Sequence, residues 1–153
     1  MIVREATVAD IESLSFIRMS VKENILNNPA LVTEQDYIKY LTTHGRGWLC
    51  EINSTVTGFA IADIITNNIW TLFISPNYEN KGIGKKLHRI MMNWYFSQTD
   101  LPAWLSTSPG TRAAGFYLRH GWTPTGRFGN EIKFEISKDE WESFVSNTGY
   151  EAV

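Results

Sequence analysis

Apolar residues along the chain alternate between helical spacing and strand-length runs, and this switching predicts most of the elements. Ile2–Glu5 reads as a short strand. Thr7-Val8-Ala9-Asp10 has the form of a capping box, with Asp at the third helical position where Glu or Gln is usual. Ile11, Leu14, Ile17, Met19 and Val21 continue it as an amphipathic helix reaching about Asn24. Thr33-Glu34-Gln35-Asp36 opens a second, shorter helix with Tyr37, Tyr40 and Leu41 on one side, and Gly45 and Gly47 are expected to end that region. Three strand-like stretches follow: Trp48–Ile52, Val56–Ile65 and Ile69–Ile74. They are divided by Asn53-Ser54 and by Thr66-Asn67-Asn68, turns short enough to imply an antiparallel meander.

The second half repeats the switch. Pro76 interrupts the pattern, and from Gly82 a long helix carries Ile83, Leu87, Ile90, Met91, Trp94 and Tyr95 at helical spacing. Leu101–Thr107 is another strand, and Thr111–His120 a helix stopped by Gly121. Trp122–Gly126 and Glu131–Ser137 form a final hairpin, and Ser137-Lys138-Asp139-Glu140 caps a terminal turn or two through Val145. The expectation is a mixed α/β chain of the α+β kind, whose sheet has antiparallel and parallel parts covered by helices. No repeat, low-complexity tract or Pro/Gly/Ser-rich linker divides it, so residues 1–153 read as one domain.

Composition narrows the function classes. At 153 residues, 43% hydrophobic and 20% charged, the chain is long enough for a substantial core and ordinary for a soluble globular protein. Six Trp, six Tyr and eight Phe fit a dense core, and also fit rings lining a pocket. The formal net charge of −2 argues against nucleic acid as a partner, because binders of it show a basic excess or stripe. The tight basic cluster Lys81, Lys85, Lys86, His88 and Arg89 is a local anion site at best. The single cysteine, Cys50, lies in an apolar run and reads as a buried inert thiol. The N-terminus lacks the apolar stretch of a signal peptide, and no window approaches the roughly 18 apolar residues of a membrane span. A cytoplasmic protein with no membrane partner is the default expectation.

The stretch Asn80-Lys81-Gly82-Ile83-Gly84-Lys85 carries the clearest chemistry. It joins a strand to a long helix, and a helix start offers backbone N–H groups with no intrahelical partner at the positive end of the helix dipole. Glycines let that backbone approach an anion closely, and Lys81, Lys85 and Lys86 add charge. Two nucleotide motifs fail here. Glu79 stands where the first glycine of a Walker A loop belongs and Lys86 where its Ser/Thr belongs; Leu87 stands where a dinucleotide fingerprint needs its third glycine. A glycine-assisted helix start on a solvated basic face is the simpler alternative.

A second stretch, Thr107-Ser108-Pro109-Gly110-Thr111-Arg112-Ala113-Ala114-Gly115-Phe116-Tyr117-Leu118-Arg119-His120-Gly121-Trp122, runs from a strand end into a helix. Its small residues allow close packing, and its aromatic pair lies one turn before a glycine stop. Together the two stretches resemble the GNAT superfamily of acyl-CoA-dependent N-acyltransferases. That family's pattern is a strand, a loop with Pro and [QR]-x-x-G-x-[GA] entering a helix, then N-x-x-A-x-x-F-Y-x-x-x-G-[FW]. Gly82-Ile83-Gly84 and Ala113, Phe116, Tyr117, Gly121 and Trp122 stand in the matching places. Glu79 departs from the usual Gln or Arg and is expected to turn towards Lys81 or Lys85. Gly110 departs from the usual Asn.

The resemblance implies a mostly antiparallel central sheet flanked by helices, and acetyl-CoA as co-substrate. By resemblance, the pantetheine arm adds along Leu72, Phe73 and Ile74, the pyrophosphate rests on amides from Asn80 through Lys81, Gly82, Ile83 and Gly84 to Lys85, and Gly110, Ala113 and Phe116 flank the cofactor. Tyr117 corresponds to the general acid for the departing thiolate. A free amine of a small molecule or peptide attacks directly, a backbone N–H of the fourth strand polarising the carbonyl. Leu105 stands where some members carry a catalytic Glu, leaving Asp63, Glu51, Glu23 or a water chain as candidate base. Acceptor selection falls to the first two helices and their connection, with Glu23 and Asn24 as contacts and Trp48, Trp70 and Phe128 as possible lining. An acyl-CoA sensor without turnover is the competing reading, and a homodimer through the last hairpin and the Trp141–Phe144 helix is open.

Overall fold

The computed structural model describes residues 1–21 and 32–149. Seven strands form one sheet: β1 (Ile2–Glu5), β2 (Gly45–Ile52), β3 (Thr55–Asp63), β4 (Asn68–Ile74), β5 (Ala103–Thr107), β6 (Thr123–Phe128) and β7 (Glu131–Ile136). Their spatial order is β1-β2-β3-β4-β5-β7-β6, and every neighbouring pair is antiparallel except β4 and β5. The helices are α1 (Ile11–Ser20), α2 (Glu34–Thr42), α3 (Ile83–Gln98), α4 (Arg112–Arg119) and α5 (Lys138–Thr148). This is the mixed, mostly antiparallel architecture expected. No helix among the described residues is long and apolar enough to cross a membrane.

Local chemistry sets the element ends. The Thr7, Thr33 and Ser137 backbone N–H groups each donate at 2.8 Å to the carboxylate three residues on, which closes a capping box at Asp10, Asp36 and Glu140. Asn53 and Ser54 both take positive φ, 50° and 65°, the conformation of a two-residue hairpin whose twist suits its strands. Gly121, at φ 90°, ends α4; the N–H groups of His120 and Trp122 both donate to the Tyr117 carbonyl at 3.1 Å.

Two apolar clusters flank the sheet. On one face α3 buries Leu87, Met91, Met92 and Tyr95 against Trp48, Ala60, Ala62, Leu105 and Phe134, with Trp141 of α5. On the other, Leu14 and Ile17 of α1 and Tyr37 and Leu41 of α2 cover Leu49, Phe59 and Ile61. Cys50 is fully buried.

Several boundaries differ from expectation. Gly45 and Gly47 lie inside β2 rather than closing the helical region. A Cβ on Gly45 would fall on the Ala62 carbonyl, and one on Gly47 would sit 2.5 Å from the Leu41 side chain, so these glycines serve close approach rather than chain punctuation. Helix α1 ends at Ser20, with Val21 extended. Helix α5 runs three turns, and its Trp141 is spent on the chain's own core, donating from Nε1 to Asn93 Oδ1 at 3.0 Å.

The β4–β5 pair positions the site. Its register holds at one place, Asn68↔Trp104, where Asn68 Nδ2 donates to the Trp104 carbonyl at 3.1 Å and Trp104 Nε1 to the Thr66 carbonyl at 3.0 Å. Beyond it the strands part, and the register shift at Trp70 adds twist to β4 there. Gly58 on β3 supports that splayed end: an added Cβ would lie 2.7 Å from Ile74 Cδ1 and 3.0 Å from the Phe73 carbonyl oxygen. We expect Gly58→Ala to cost about 1–3 kcal/mol, read as a lower urea midpoint. An unchanged midpoint would show that β4 relaxes freely.

Candidate active site

The gap between β4 and β5 opens into a cleft of about 320 Å³ lined by Leu72, Phe73 and Ile74 of β4, Gly84 of α3, and Ala113, Phe116 and Tyr117 of α4. Such a volume suits a small molecule or part of a larger one. Val21, Glu79, Arg112 and Arg119 complete the wall. Two stretches far apart in sequence therefore meet across one opening.

The loop above it turns left-handed twice before the start of α3. Asn80 takes φ 63° and Gly82, the N-cap of α3, φ 80°. Gly82 sits in open space, so its glycine serves the left-handed turn. The backbone N–H groups that follow begin α3 without intrahelical acceptors. Ile83 turns its side chain into the core, 1% exposed, which locks the first helical turn to the sheet. A Cβ on Gly84 would touch Ile74 and Phe116 only at 3.7–3.9 Å, ordinary contact, so the space it would fill belongs to the cleft.

Glu79 is neutralised differently from expectation. Its carboxylate pairs with Arg112 rather than with Lys81 or Lys85, and Arg112 Nη2 also donates to Asn80 Oδ1 at 3.1 Å. The discordant acid thus ties the loop before α3 to the start of α4. Gly110, at φ 73°, makes the open turn into α4, and Thr111 Oγ1 accepts from the Ala114 N–H at 3.2 Å.

Tyr117 forms part of the cleft wall and is otherwise buried, at 6% exposure, among Phe116, Trp122, Phe134 and His88. Burial pushes its phenol well above the ordinary value, so it holds its proton throughout the neutral range. Behind it His88 is fully buried, and its Nε2 accepts from Trp122 Nε1 at 3.0 Å, which assigns the ring proton to Nδ1. Burial, with His120 close by, lowers the His88 pKa from 6.5 to about 3.

Among the expected site residues, Leu72, Phe73, Ile74, Gly84, Ala113, Phe116 and Tyr117 share the cleft. Asn80, Lys81, Gly82, Ile83, Lys85 and Gly110 lie on the loops and helix start at its rim. Asp63 does not join them. It ends β3 beside Asn68, the closed end of the sheet, and is 2% exposed. Its carboxylate accepts from the N–H groups of Ile65 and Thr66 and the Thr66 hydroxyl, holding the turn. Glu51 is likewise committed, to Arg4 at 2.8 Å. Trp48 packs edge-on against Trp94, Trp70 against Tyr37 and Tyr40, and Phe128 against Trp104, none of them along the cleft. Glu23 and Asn24 lie outside the described residues. The sequence reading missed Arg112 and Arg119, whose signal was two cations two turns apart on the helix that bears Tyr117.

The sequence pattern of the acetyltransferase (GNAT) family matches residues 11–122. The chain belongs to that family. Solved structures similar to this GNAT chain include the PaiA N-acetyltransferase of Thermoplasma acidophilum in complex with coenzyme A. It has 18% identity and a TM-score of 0.78, over 89% of this chain and 98% of that one. A GNAT acetyltransferase of Staphylococcus aureus Mu50 has 19% identity and a TM-score of 0.77, over 89% and 98%. The ribosomal-protein-S18-alanine N-acetyltransferase of Escherichia coli has 14% identity and a TM-score of 0.70, over 88% and 90%. At these identities the likeness is one of fold. No curated protein matches the sequence. Membership makes the chemistry acyl-CoA-dependent acetyl transfer in general terms.

Two outcomes follow from this geometry. Gly84→Val is expected to weaken coenzyme A binding tenfold or more (about 1.4 kcal/mol) in calorimetry while leaving the thermal midpoint nearly unchanged; equal affinity would remove the close approach at Gly84. For His88, unfolding takes up a proton between pH 3 and 6.5, so its contribution to stability is complete above pH 6.5 and declines as pH falls towards about 3. Its ring nitrogens should keep the NMR shifts of the neutral Nδ1–H tautomer from pH 8 to pH 5, and a cationic ring at pH 6 would contradict the assignment.

Proposed function

We propose that this GNAT protein is an N-acetyltransferase that moves the acetyl group of acetyl-CoA to a primary amine of a small molecule or peptide by direct attack. The observation that carries the reading is the meeting of a protonated, buried Tyr117 with the splayed edge of β4 in one cleft beneath the α3 helix start.

The residues present fit the proposed co-substrate. Leu72–Ile74 offer a backbone edge with no strand beside it, the amides after Gly82 and the cations of Lys81 and Lys85 suit a pyrophosphate, and Gly84 leaves room for its approach. When bound, acetyl-CoA supplies an activated acyl carbon and a thiolate leaving group. The β4 backbone can hold the acyl carbonyl with donors fixed before charge develops. Tyr117 supplies the proton that the departing sulfur needs; burial keeps the phenol protonated until the thiolate forms beside it. Orienting amine and acyl carbon in one cleft contributes further rate without a covalent enzyme intermediate.

A thiol-release assay over a panel of amines tests the reading. Tyr117→Phe should lower kcat about 10²-fold with little change in the KM for acetyl-CoA. Undiminished kcat would remove the acid role. Coenzyme A binding without turnover on any amine would favour a sensor.

A further inference from the structure

The cleft described above opens towards α3 and α4. Val21 and Phe73 carry its wall to the face covered by α1 and α2, where charged and polar groups lie that have no part in the site described so far.

Phe73 joins the two sides. It lines the cleft, and the guanidinium of Arg18 lies over its ring, 4.4 Å from the centroid. Arg18 is in the last turn of α1, three residues before Val21, which itself lines the cleft. Its Nε is buried and, among the described residues, has no hydrogen-bond partner. Thr71 stands two residues before Phe73 on β4, and strand alternation puts both on the same face. Thr71 is 4% exposed, and its hydroxyl is also without a partner among the described residues. One donor from α1 and one from β4 therefore await an acceptor beside Phe73, and leaving a buried donor unmet is costly.

The β5 bank carries the opposite chemistry. Ala103, Leu105 and Thr107 alternate with Trp104 and Ser106, so Ser106 points away from the α3 core. Ser106 Oγ donates to Glu131 Oε1 at 2.8 Å, which fixes that carboxylate at the start of β7. Burial lowers the Arg18 pKa, with Tyr37 and then Glu131 favouring its charged form, and among the described residues Arg18 and Glu131 form no salt bridge. Lys133, next on this face, lies over the Trp104 ring at 5.5 Å from its centroid. The Arg18 guanidinium and the Thr71 hydroxyl beside Phe73, and the carboxylate that Ser106 holds, thus belong to the sheet face turned away from α3.

We infer that Arg18 and Thr71 bind the carboxylate of the acceptor while Glu131 holds its ammonium group, so that the acceptor is a free amino acid. The inference rests on the acetyl-transfer reading above and supplies the substrate class. Glu131 takes one proton from the ammonium; the freed nitrogen forms the C–N bond as the C–S bond breaks, the thiolate receives its proton from Tyr117, and the second proton, made acidic on the newly acylated nitrogen, returns to the Tyr117 phenolate. Arg18 fixes the far end of the acceptor and excludes amines that bring no anion, because they would leave its guanidinium buried and unmatched.

The test uses the full chain, acetyl-CoA and matched acceptors: amino acids with the amine at increasing distance from the carboxylate, each beside its primary amide. The expected wild-type result is a kcat/KM at least about 30-fold higher for the acid than for its amide at the best chain length. Arg18→Gln should bring that ratio to near one, with Arg18→Lys restoring part of it. Glu131→Gln should lower kcat/KM for acid and amide together, about 10²-fold, leaving the ratio in place. Coenzyme A binding by calorimetry shows that each variant is folded. Equal use of acid and amide by the wild type, or a ratio that survives Arg18→Gln, overturns the inference while acetyl transfer stands. Failure of every amine to release thiol overturns both.

Discussion

The structure depends on a parallel pair of strands that agree at only one end. Asn68 and Trp104 tie β4 to β5 through backbone and side-chain hydrogen bonds, and past that knot the strands diverge. In a closed sheet the β4 edge would satisfy its own N–H and C=O groups; here it keeps them available, a state a fold sustains only where a ligand or water can meet them. The parting needs a firm knot, because without it the divergence would propagate into the core. It also needs helices over the gap, and α3 and α4 both begin there.

Charge is arranged around that opening with little excess. Glu79 at the loop's mouth would oppose an anion, yet Arg112 matches it, and the pair links the two loops that form the rim. Exposed pairs of this kind contribute little to stability, so its value is in position rather than energy. On the interior side, His88 stays neutral and serves Trp122 as an acceptor, so the wall behind Tyr117 brings no titrating charge from this ring near neutral pH. Tyr117 is thereby held in apolar surroundings that favour its protonated form.

Much of this was legible in the sequence, for identifiable reasons. Helical spacing from Ile83 to Tyr95 and the capping residues Thr33 and Ser137 are local signals, and they set the elements to within a few residues. Gly82 marked the left-handed turn that starts α3. What escaped was long-range. Gly45 and Gly47 looked like chain breakers because their reason lies in Ala62 and Leu41 across the sheet and helix. Asp63 looked like a free carboxylate, and only the turn geometry at Ile65 and Thr66 shows it committed. Ser106 and Glu131 meet only because β7 inserts between β5 and β6, an order no local pattern encodes.

The central claim is that coenzyme A occupies the gap between β4 and β5 with its phosphates at the start of α3. Amide hydrogen exchange with and without coenzyme A tests this directly. The account predicts slowed exchange concentrated at Leu72–Ile74 and Asn80–Lys85, with the β1–β2 edge unaffected. Tight binding that leaves both segments exchanging at their free rates would contradict it.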